Sequence, residues 1–159
     1  MFKSEKEFFE CCKSAMESEE MSTEFSMIEF VKTGDCQSNL KESALSLQMA
    51  CHQVAVECGW WNDPDTGQPL DRNHGELICL MHSELSEAME AVRKDLMDTH
   101  LTRRKGIEVE LADCLIRIFD YAGHNHLDIG GAIAEKLVYN SNRADHKPEN
   151  RAGGHGKKF

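Results

Sequence analysis

From Asn39 to Lys147 apolar residues recur every three or four positions, and only three prolines occur in 159 residues. No long stretch alternates apolar and polar residues as a half-buried strand would, so the period is that of helices. Asn39 is placed to cap a helix reaching about Cys58 and carrying Leu45, Leu47, Met49, Val54 and Val56. Gly59 to Pro69, with Pro64, Gly67 and two tryptophans, reads as a loop because glycine and proline punctuate it. A second helix is expected from about Gly75 to Asp95, and a third from about Arg104 to Tyr121, ending at Gly123. A fourth is capped by Asp128 and must stop before Pro148. Four helices with short connections predict an all-α chain, an antiparallel four-helix bundle.

Charge limits what such a chain can meet. Its formal balance is −10, from 18 Lys and Arg against 28 Asp and Glu. An acidic surface excludes polymeric nucleic acid and anionic membranes as natural partners. No stretch approaches the roughly 20 apolar residues of a membrane span, and no apolar signal segment follows Met1. Seven cysteines without a CxxC pair look like reduced thiols, which points to a cytoplasmic protein. The charge is uneven: residues 1–40 hold 4 lysines and 9 acids. Residues 1–38 are therefore read as an acidic, helical or flexible extension, 39–147 as the functional domain, and 148–159 as a flexible basic tail.

The second helix carries an anomaly. At 100° per residue Leu77, Leu80, Glu84, Glu87 and Ala91 share one stripe, flanked by Ile78, Met81, Leu85, Ala88 and Val92. Glu84 thus sits in the apolar face and Glu87 at its edge, while Glu90 lies opposite as a surface acid. A carboxylate facing a core must be protonated, paired or bound to a cation. The third helix repeats the spacing with Glu110 and Asp113, beside an apolar side of Ile107, Leu111, Cys114, Leu115, Ile118 and Phe119. Asp113 shares its own stripe with Arg117 and Asp120. Two such pairs on adjacent helices would bring up to four carboxylates together, a set that suits Mg²⁺ or Mn²⁺. A diiron site would want Glu-x-x-His, and no glutamate here is followed three places later by histidine.

An anionic substrate would complete such a site. Lys136, Asn140, Arg143 and Lys147 follow one stripe of the fourth helix at steps of four, three and four, and can hold phosphate oxygens. A solvated basic helix end is the plain alternative. Trp60 or Trp61 could stack on a nucleobase, with His52 or Gln53 reading its edge, although one tryptophan could simply close the helices. Cys51, His52 and Cys58 are too irregularly spaced for zinc. His124 and His126, at a helix end, are expected to face solvent.

These motifs resemble the MazG-like, all-α nucleoside triphosphate pyrophosphohydrolases, whose signature is ExxE, a spacer, then ExxD. Here it reads Glu84-Leu85-Ser86-Glu87, 22 intervening residues, then Glu110-Leu111-Ala112-Asp113. Glu135-Lys136-Leu137-Val138-Tyr139-Asn140, the Gly59-Trp60-Trp61 loop and Arg143-Ala144-Asp145-His146-Lys147 look like a phage and bacterial branch. The likeness covers about 40–159 and leaves 1–38 unmatched. It implies Mg²⁺-dependent hydrolysis of an NTP or dNTP, a guanine nucleotide among the options, to the monophosphate and pyrophosphate. Glu84, Glu87, Glu110 and Asp113 would bind metal, with Glu84 or Glu87 activating the water. Lys136, Asn140, Arg143 and Lys147 would hold phosphates. It also implies a homodimer or homotetramer, in the host cytoplasm if the chain is phage-encoded. Ser83 stands where relatives often have a further glutamate, which favours the rival reading: a helical regulator or adaptor that keeps the bundle without turnover.

Overall fold

The structure, a computed structural model, describes residues 27–152, and the described residues contain helices and no strand. A short α1 (Met27–Phe30) precedes four long helices: α2 (Gly34–Glu57), α3 (His74–Lys94), α4 (Gly106–His124) and α5 (Ile129–Asn142). A 3₁₀ turn (Ala144–His146) and a short α6 (Pro148–Ala152) follow. Most of the acidic extension (1–26) and the end of the basic tail (153–159) lie outside the described residues. Within the tail, Pro148 opens α6, because proline suits a first helical position, where its missing N–H goes unused.

Three of the four long helices begin on a side-chain cap. Thr33, not Asn39, starts α2: its hydroxyl oxygen accepts from the Cys36 amide at 3.2 Å, and Asn39 lies within the helix. A β-region Ser or Thr followed by an acid in the first turn, here Thr33 and Asp35, begins a helix. Cys36 is buried, so the packed domain begins before residue 39. Asn73 caps α3 by accepting from the Glu76 amide at 3.1 Å, and Asp128 caps α5 by accepting from the Gly131 amide at 2.7 Å.

The main packings are α3 on α4, α4 on α2, and α2 on α5. The helices therefore run in the spatial order α3, α4, α2, α5, with α4 in the interior beside the carboxylate-bearing α3. Small residues set the contacts. Ala122 and Ala134 are wholly inaccessible, and Ala44, Ala88, Ala91 and Cys114 are buried with them. A Cβ on Gly123 would sit 2.5 Å from the His52 Cβ, and one on Gly130 would sit 2.9 Å from the Lys41 carbonyl oxygen. Both glycines let α2 approach its neighbours at backbone distance.

Close packing through small residues leaves the large ones outside. Leu45, Leu47, Met49 and Val54 of α2 stay exposed, as do Leu80, Leu85, Met89 and Val92 of α3 and Leu111, Leu115 and Ile116 of α4. The apolar sides expected to form a core in one chain are thus only partly covered: of the α4 set, Cys114 and Phe119 are buried. Among the described residues no large side chain is fully buried, and no helix is long and apolar enough to cross a membrane.

Candidate metal centre

Packing of α3 on α4 brings the two acidic pairs together. One carboxylate oxygen each from Glu84, Glu87 and Glu110 lies within 4.8 Å of the others, and among the described residues this is the group that could hold a metal ion. Glu84 is buried, with 6% of its surface exposed, as its place in the apolar stripe predicts. Glu110 is half-buried and Glu87 exposed at the rim. Asp113, the fourth expected ligand, is half-buried but outside this triangle. Glu90 lies on the outer face with Arg93 at 2.9 Å and Lys94 at 2.5 Å.

Electrostatics mark the cluster as short of positive charge. Burial raises the Glu110 carboxyl above its ordinary range, and repulsion from Glu87, Glu84, Asp113 and Asp98 adds to it. Burial raises Asp113 as well, with Glu84 pushing further and Arg117 opposing. Neither shift would persist with a divalent cation among the oxygens. Hard oxygen donors at this spacing fit Mg²⁺ or Mn²⁺.

Two clefts border the cluster. Glu87, Glu110 and Asp98 line a small hollow of about 200 Å³. Glu84 and Asp113 line a cleft of about 390 Å³ with Trp60, Trp61, Arg72, Leu77, Leu80 and Arg117. Arg117 lies one helical turn after Asp113, and its Nε donates to Glu84 Oε1 at 2.6 Å. The larger cleft is of small-molecule size, mixing apolar walls with a few convergent charges.

Asp120 organises the wall of that cleft. Its Oδ1 accepts from Trp61 Nε1 at 2.8 Å and lies 2.8 Å from His52 Nδ1. Trp61 is buried and stacks on His124 with ring centres 3.6 Å apart and planes 6° from parallel. His124 remains solvent-exposed, as its place at a helix end predicts, while one face of its ring stacks on the tryptophan. Burial, and then His52, lower its basicity. Arg72 donates to the Trp60 carbonyl at 2.8 Å and lies over the Trp61 ring. Trp61 is therefore the tryptophan that closes the helices, and its ring face and N–H are engaged. His52 is committed to Asp120, and Gln53 is exposed and donates to Glu57. Of the four base-binding candidates, Trp60 remains exposed in the cleft.

The phosphate stripe lies elsewhere. It begins on α5, which packs on α2 and not chiefly on the carboxylate helices. Lys136 Nζ sits 4.5 Å over the Tyr139 ring, and Arg143 forms a forked pair with Asp145 at 2.9 and 2.5 Å. Asn140 Oδ1 is buried with no hydrogen-bond partner among the described residues. Lys147 ends the 3₁₀ turn, exposed. No described contact brings these four residues to the carboxylates.

Arg72, Arg117 and Asp120 were not singled out as site residues from the sequence. Asp113, Arg117 and Asp120 do share one stripe of α4, so two were within reach of the periodicity. Arg72 sits in the loop, where no period applies.

No protein-family model matches this chain, and no curated protein or solved structure is significantly similar to it.

Proposed function

We propose that this chain is a Mg²⁺-dependent nucleotide pyrophosphohydrolase of the MazG-like type, cleaving an NTP or dNTP to the monophosphate and pyrophosphate. The observation that carries the reading is the convergence of Glu84, Glu87 and Glu110 oxygens within 4.8 Å, beside a charged cleft. Placing Glu84 in an apolar face costs stability unless something positive answers it. Carboxylates on two packed helices are the donor set for a hard cation. A bound magnesium ion would supply charge to offset the developing pyrophosphate and help ionise a water. Glu84, Glu87 and Glu110 would hold it, with Asp113 reaching it directly or through water. Glu84 or Glu87 would orient or deprotonate the attacking water. Trp60 would take the base, and Lys136, Asn140, Arg143 and Lys147 the outer phosphates.

That last assignment needs a second copy of the chain, since α5 packs away from the carboxylates. The exposed leucines, methionines and valines of α2, α3 and α4 supply apolar area for one. A homodimer or homotetramer in which these faces meet would close the four helices into a bundle. Such a protein would act in the cytoplasm on the nucleotide pool.

One observation favours the rival reading of a helical regulator without turnover: Arg117 already answers the Glu84 charge. The experiment is calorimetric titration of the protein with Mg²⁺ and Mn²⁺, followed by a panel of NTPs and dNTPs assayed for pyrophosphate. Metal binding with base-selective release supports the enzyme. Metal binding without release of any phosphate supports the regulator. Glu84→Gln should abolish turnover while leaving the helical circular dichroism largely intact.

A further inference from the structure

The described contacts give Glu84 an internal cation before any metal arrives. Arg117 Nε donates to Glu84 Oε1 at 2.6 Å, from a side chain 43% exposed to a carboxylate 8% exposed. The guanidinium has five N–H donors, and among the described residues the two terminal nitrogens of Arg117 have no hydrogen-bond partner. Arg117 lines the cleft together with Arg72, Trp60 and Asp113. Arg117 and a divalent cation thus compete for one carboxylate, and the loser is left beside a cleft of about 390 Å³ that already holds a second arginine.

We propose that Arg117 is a phosphate-binding residue held in reserve on Glu84 and released by the metal. This rests on the metal reading of Glu84, Glu87 and Glu110. With the cation bound, Glu84 no longer needs the guanidinium, because its charge is neutralised at shorter range. Arg117 stays anchored on α4, and its fork turns to the cleft, where with Arg72 it presents paired donors to a di- or triphosphate. Exposure of the guanidinium makes the exchange cheap: it leaves a partly solvated position for another. The consequence is coupling. The anion-binding cleft is fully assembled only after metal loading, so metal and pyrophosphate each strengthen the binding of the other.

The test compares wild type with Arg117→Gln and Arg117→Lys, using Mn²⁺ alone and then inorganic pyrophosphate at saturating Mn²⁺, both by calorimetry. Arg117→Gln removes the competing charge but keeps a donor for Glu84. It should bind Mn²⁺ at least about fivefold more tightly than wild type, and pyrophosphate at least about fivefold more weakly. Arg117→Lys retains the charge without the fork, so Mn²⁺ affinity should stay near wild type while pyrophosphate binding falls. If Arg117→Gln binds Mn²⁺ no better, or worse, Arg117 merely orients Glu84 and the proposal is wrong. Undiminished pyrophosphate binding in Arg117→Lys overturns it too, even should the glutamine variant not fold. Failure of wild type to bind Mn²⁺ removes the metal reading itself and this proposal with it.

Discussion

Adjacent tryptophans, Trp60 and Trp61, have opposite roles here, and the difference is measurable. Trp61 is 5% exposed, donates its indole N–H to Asp120 at 2.8 Å and stacks on His124. Truncating a buried aromatic to alanine costs about 3–5 kcal/mol. Trp60 is 65% exposed and lines the cleft; truncating an exposed side chain changes stability by no more than about 0.5 kcal/mol. Trp61→Phe isolates the polar part, keeping a ring for His124 but leaving Asp120 Oδ1 with His52 as its remaining side-chain partner. Losing a hydrogen bond to a carboxylate in a half-buried setting costs about 1–3 kcal/mol. Urea unfolding followed by far-UV circular dichroism, at one protein concentration, should order the variants Trp61→Ala, Trp61→Phe, Trp60→Ala from least to most stable. On the functional side, Trp60→Ala should weaken nucleotide binding with the fold intact. Equal destabilisation by Trp60→Ala and Trp61→Ala would refute the division of roles.

Other outcomes follow from the same contacts. Gly123→Ala should destabilise by about 1–3 kcal/mol, because the new methyl meets a His52 Cβ that cannot rotate away; a neutral result in urea melts would mean that α2 and α4 are further apart. The lowered basicity of His124 means that the folded state favours the neutral ring. Its contribution is therefore fully present above the ordinary histidine range, about pH 6.5, and is lost as pH falls through the folded value. Wild type should lose more stability than His124→Phe between about pH 7.5 and pH 5.5; equal losses would show that His124 is not desolvated against Trp61. Thr33→Ala should cost about 1 kcal/mol by removing the α2 cap, and Asn39→Ala almost nothing, a contrast that thermal melts can read.

The helical period made the four long helices legible, since α3 and α4 carry clear apolar stripes and Asn73 and Asp128 are good caps. The α2 start is ambiguous in the sequence because two competent caps, Thr33 and Asn39, lie six residues apart, and only tertiary burial of Cys36 decides between them. Burial of Glu84 could be read from its angular position alone. The partners of that carboxylate could not, because a stripe of Asp113, Arg117 and Asp120 fits a solvated face as well as a cleft wall. The order in which helices pack is equally silent in a period. A period alone therefore groups the Lys136 stripe with carboxylates from which α5 packs away. The tryptophan loop yielded half its content: one indole closes the helices, but which one depends on Asp120, 59 positions on from Trp61.

As proposed, Glu84, Glu87 and Glu110 would form a metal site for phosphoanhydride hydrolysis. The most direct test is pyrophosphate release from a panel of NTPs and dNTPs, with and without Mg²⁺, by wild type and Glu84→Gln. Release should require Mg²⁺, favour some nucleotides, and vanish in Glu84→Gln while the helical signal persists. Release that ignores Mg²⁺, no release from any nucleotide, or a Glu84→Gln variant that keeps most of its activity would contradict the proposal.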